Sequence, residues 1–60
     1  MLTVFYDHLK KLELLTDTLD VLPEVKDSVV IRGIIYVAVR KTFDFNEAPP
    51  VCRIDCEIRV

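Results

Sequence analysis

Val51-Cys52-Arg53-Ile54-Asp55-Cys56-Glu57-Ile58-Arg59-Val60 sets the fold class of this 60-residue chain. Cys52, Ile54, Cys56, Ile58 and Val60 alternate with Arg53, Asp55, Glu57 and Arg59. A period of two is that of a strand with one buried and one wet face. The opposite charges on the wet face can pair across to a neighbouring strand.

Upstream of it, Asn46-Glu47-Ala48-Pro49-Pro50 is a turn-forming run that returns the chain antiparallel. Before that run, Val29, Ile31, Ile35, Val37, Val39, Phe43 and Phe45 share one parity. Gly33, the only glycine, sits where a tight turn needs positive φ. The pattern predicts strands near 28–32, 34–45 and 51–60, joined as an antiparallel meander. The second parity of the middle strand holds Val30, Ile34, Tyr36 and Ala38, so residues 34–39 are apolar on both faces. Such a strand is covered on two sides. Either the N-terminal segment or a second subunit must cover the second face, which predicts a homodimer with Ile34, Tyr36 and Ala38 in its interface.

All seven leucines lie in residues 1–22, whereas of the 14 valines and isoleucines only Val4 precedes Asp20. The second half is therefore β by propensity as well as by pattern. The first third supports two readings. A hairpin with strands near 2–7 and 11–17, turning around His8 to Lys10, makes the protein mainly β, with a small barrel-like sheet. Phe5, Leu9, Leu12, Leu19 and Leu22 also fall at helical spacing, which gives the alternative: an α+β fold with a helix near 5–20 packed on three strands. Thr3-Val4-Phe5-Tyr6 is a poor helix stretch with no good N-cap before it. Pro23 ends whichever element precedes it.

Composition bounds the function. A chain of 60 residues is a single domain, 1–60, near the lower limit of independent folding. Burial gain and ordering cost nearly cancel at this size, so a bridge, a metal or a partner would help. The longest apolar run, Ile34 to Val39, is too short to span a membrane, and Met1 to Asp7 has no basic region of a signal segment. A cytoplasmic protein is expected. The formal net charge of −2 gives no basic footprint for nucleic acid. Along a strand, Cys52 and Cys56 would stand about 13 Å apart, beyond disulfide reach, which fits a reducing compartment.

Catalytic chemistry finds little purchase. His8 and Ser28 are the only residues of their types, and thiols on an apolar face stay protonated. Cys52, Cys56 and His8 are three soft ligands at the wrong spacing for one ion, and Asp17, Asp20 and Asp27 lack calcium-loop spacing. One glycine cannot make a phosphate loop. No enzyme activity, metal or cofactor is expected.

The stretch from Leu22-Pro23-Glu24-Val25-Lys26-Asp27 through Ser28, Ile31, Gly33, Tyr36, Val39, Phe43, Asp44 and Phe45 resembles small β-rich proteins of bacteriophages. It departs from their pattern at Lys26, where a glycine before the Asp is more usual. The resemblance covers about residues 19–60 and concerns structural positions. It implies a phage-type setting, in which many proteins of this size bind and block a host protein, including components of antiviral defence. The functional expectation is then a non-enzymatic, homodimeric inhibitor. Its partner would be met by Arg53, Asp55, Glu57 and Arg59 with Glu47 and Pro49 of the 46–50 loop. Two alternatives stand: a nucleic-acid-binding or transcription-regulating β module using Arg32, Arg40, Lys41 and Arg53, and a structural subunit of a viral assembly.

Overall fold

The computed structural model describes residues 1–59, all in strands and their connections. Five strands follow one another: β1 (Leu2–Asp7), β2 (Leu12–Thr18), β3 (Ser28–Ile31), β4 (Ile34–Asp44) and β5 (Val51–Ile58). They form one sheet in the order β2-β1-β5-β4-β3, curled into a half-barrel. The mainly β reading holds, with the N-terminal hairpin rather than the helix over 5–20. Val60, the last residue of the expected final strand, lies outside the described residues. Among the described residues no helix is long and apolar enough to cross a membrane.

Local chemistry accounts for each turn. Arg32 and Gly33 both take positive φ, 52° and 78°, the geometry of a two-residue hairpin whose twist matches its strands. The β1–β2 turn hangs on Asp7, whose carboxylate accepts from the Leu9 and Lys10 amides at 3.0 and 2.9 Å while Lys11 adopts φ 59°. The long β4–β5 hairpin closes through residues 45–50. Three pairings are antiparallel, and β1 lies parallel to β5, with Phe5 opposite Ile54. That pairing makes the sheet mixed, not purely the antiparallel sheet expected. The two parallel strands stand at opposite ends of the chain, so no local pattern announces their contact.

The inner face carries the core: Phe5, Leu14, Ile31, Tyr36, Ala38, Cys52, Ile54 and Cys56 are buried. A strap of nine residues, 19–27, closes it by running from the β2 edge to the β3 edge. Nine residues reach up to about 30 Å, and four inter-strand spacings take about 19 Å, so the strap has length to arch. Leu19 and Leu22 pack on the core from it. Backbone bonds fix its end, Lys26 N to Ala38 O at 2.7 Å and Ala38 N to Asp27 O at 2.9 Å. Lys41 Nζ, reaching from β4, meets Glu24 Oε1 at 2.9 Å.

The assignment of faces on β4 needs correction. Across a two-residue turn, paired residues share a face: Ile31 stands opposite Ile34, and Val29 opposite Tyr36. The parity therefore inverts, so Tyr36 and Ala38 join Val29 and Ile31 on the inner face while Ile35 and Val37 point outward. Tyr36 and Ala38 are 4% and 2% exposed within the single chain, so they are core residues and not the surface of a dimer. Ile34, 45% exposed, sits on the rim of that same inner face. A second inversion follows at Val39. Ala38 pairs with Cys56 and Arg40 with Asp55, which leaves Val39 as the extra residue of a β-bulge. Beyond it Lys41 and Phe43 occupy the inner side, opposite Ile54 and Cys52.

Candidate functional site

The outer face carries the candidate site, and β5 supplies its spine. Arg53, Asp55 and Glu57 project from it in a row, as the alternation requires, and Arg59 follows just past its end. Their environments differ. Asp55 occupies the middle strand of five, flanked by Tyr6 of β1 and Arg40 of β4. It is 4% exposed, a correction to its expected place among the exposed charges. A buried carboxylate needs a partner. Arg53, two residues back on the same face, donates from Nε to Asp55 Oδ1 at 2.9 Å. Its guanidinium carbon lies 3.9 Å from the centre of the Tyr6 ring, a cation–π contact that holds the plane in place. Arg53, Asp55 and Tyr6 therefore act as one unit.

Beside this unit opens a cleft of about 450 Å³. Val4, Val51 and Tyr6 give it apolar lining, and Thr42 a hydroxyl. Three acidic residues line it from separate elements: Glu13 from β2, whose Oε2 accepts from Thr16 Oγ1 at 2.8 Å, Asp44 from the end of β4, whose Oδ1 accepts from the Asn46 amide at 2.9 Å, and Glu47 from the loop after it. Arg53 is the one cation in the lining, and it is already committed to Asp55. The cleft is thus a partly apolar recess with an excess of negative charge.

Of the expected contact residues, Arg53 and Glu47 meet at this cleft, with Asp55 beneath Arg53. Glu57 and Arg59 continue the same face toward β3, where Arg59 Nη1 donates to Ser28 Oγ at 2.8 Å across β4. Pro49 is exposed in the loop, after a cis Ala48–Pro49 bond, and does not line the cleft. Tyr6, Glu13 and Asp44 were not anticipated. Alternation places Tyr6 and Val4 on one face, but only the parallel β1–β5 pairing sets them beside Arg53.

The four cations of the nucleic-acid alternative are dispersed. Arg40 and Arg53 lie on the outer side of the sheet, Lys41 is turned to the strap, and Arg32 sits in the far β3–β4 turn. The two cysteines are free and wholly buried. Burial raises the Cys52 thiol, and burial with neighbouring Asp55 and Asp7 pushes Cys56 up to about 11. Both are held protonated and poorly nucleophilic. Among the described residues no group of three or more His, Cys, Asp or Glu is placed to hold a metal ion. The chain matches no protein-family model, no curated protein and no solved structure.

Proposed function

We propose that the protein is a non-enzymatic interaction module that captures a Lys- or Arg-bearing segment of another protein in the outer-face cleft. The observation that carries this reading is the convergence of Glu13, Asp44 and Glu47 on one apolar-lined recess whose only cation is already paired. A lysine or arginine entering there places its alkyl stem against Val4, Val51 and Tyr6 and its charge among carboxylates. The net charge of −2 adds long-range attraction for a basic partner. The resemblance to small phage proteins supports a host protein as the target and inhibition as the outcome. The two free thiols support a reducing compartment such as the cytoplasm.

A random peptide library panned on the immobilised protein tests this. Sequences with Lys or Arg should be enriched, and the enrichment should vanish with the Asp44→Lys/Glu47→Lys double variant. Enrichment of uncharged or acidic peptides, or enrichment indifferent to those substitutions, overturns the reading. Arg53→Glu is the wrong probe, because it strips buried Asp55 of its partner and threatens the fold itself.

A further inference from the structure

The apolar run Ile34 to Val39 has two faces, and the described residues cover only one of them. Strap and core bury Tyr36 and Ala38 on the inner side. On the outer side Val30 and Ile35 stand opposite each other in register, 65% and 49% exposed, with Val37 half-buried next along β4. Single exposed apolar side chains are ordinary, but these adjoin one another at one end of one sheet face. Glu57 of β5 and Arg59 just past its end border them: Glu57 pairs with Val37, and the Arg59 amide bonds to Ile35 O at 2.9 Å.

We propose that a second copy of this chain docks on this end of the outer face, about a two-fold axis that sets Glu57 of each protomer against Arg59 of the other. The charge pattern selects the occupant. Two opposite charges two residues apart along the chain are self-complementary: the rotation that brings Glu57 to Arg59 also brings Arg59 to Glu57. At the other end of the same face Glu13, Asp44 and Glu47 share one sign, so two copies repel there and the cleft stays open to a different ligand. Arg59 is already steadied by Ser28 and gives up less freedom on docking. Three apolar side chains rimmed by two charges make a small patch, which places the contact in the small, weak class of interfaces. The dimer is therefore one that dissociates on dilution.

Solution mass across a concentration series is the readout, with thermal unfolding to confirm that each variant folds. The wild-type chain should move from its monomer mass of 7.0 kDa toward twice that value as concentration rises. Glu57→Arg and Arg59→Glu should each weaken the dimer by about tenfold or more, because each places like charges together. Mixed in equal amounts, these two variants should recover it, since one then presents two arginines and the other two glutamates. Val30→Lys should stay monomeric in every mixture. A wild type that is monomeric throughout overturns the proposal, as do charge swaps that leave the mass unchanged or a mixture that fails to recover it. None of these outcomes bears on peptide capture by the cleft, which is scored separately.

Discussion

On β5 the inner row, Cys52, Ile54 and Cys56, is fully buried, whereas the outer row runs from buried Asp55 to accessible Arg53 and, just past the strand, Arg59. Both rows come from one alternation, and the difference arises from what lies over them. The strap and the inward side chains of four other strands close the inner face. Among the described residues nothing crosses the outer one, so its burial comes from neighbours in the plane of the sheet, which suffices for a central residue alone. The inner face holds the fold together, and the outer face leaves its charges and part of its apolar surface exposed.

Substitutions that treat the two rows alike should show how unlike they are. Ile54→Ala empties a fully buried site and should cost about 2–5 kcal/mol, comparable to the whole stability of a marginal domain. A large loss in the denaturant midpoint, or failure to fold, is expected. Asp55→Ala leaves Arg53 without its acceptor and should cost about 1–3 kcal/mol, moderated because the Arg53 side chain is half in water. Asp55→Asn, which keeps an acceptor oxygen, should lose less. An Asp55→Ala variant as stable as wild type would make the outer row uniform and dissolve the contrast.

Two smaller effects sharpen it from the inner side. Lys26 takes φ 81° at the end of the strap, a conformation that strains any side chain and suits glycine. Lys26→Gly should raise stability by about 0.5 kcal/mol once the entropy of the unfolded glycine is counted. The Cys56 thiol is raised from 9.0 to about 11, so between those values the unfolded chain has lost a proton that the folded one keeps. Stability should then fall as pH climbs through that window, and less steeply in Cys56→Ala than in wild type. Equal slopes in the two proteins would show that this thiol is not held protonated by the core.

The strands were legible because alternation, β-branched residues and the Gly33 turn are local signals. The hairpin at His8 to Lys10 was legible only as one of two readings, because Phe5, Leu9, Leu12, Leu19 and Leu22 also keep helical spacing, and the Asp7 carboxylate that organises its turn shows only in the structure. The faces of β4 were not legible. Carrying one parity from Val29 to Phe45 ignores the inversion that a two-residue turn imposes, and Val39 adds a bulge that no single residue type marks. The positive φ at Lys26 was not legible either, because a lysine does not mark a left-handed position as a glycine would. Of the candidate site, the charges of β5 and Glu47 could be read from the sequence. The burial of Asp55 and the arrival of Tyr6 could not, because both depend on parallel pairing between the two ends of the chain.

Methyl resonances report each face separately, which makes them the most direct test. A Lys- or Arg-bearing peptide selected from the library should shift the methyls of Val4 and Val51 on the outer face. Those of Ile31 and Ile54 on the inner face should hold still. Shifts confined to the strap or the core, or none at the cleft while the peptide is bound, would contradict the division of labour between the two faces.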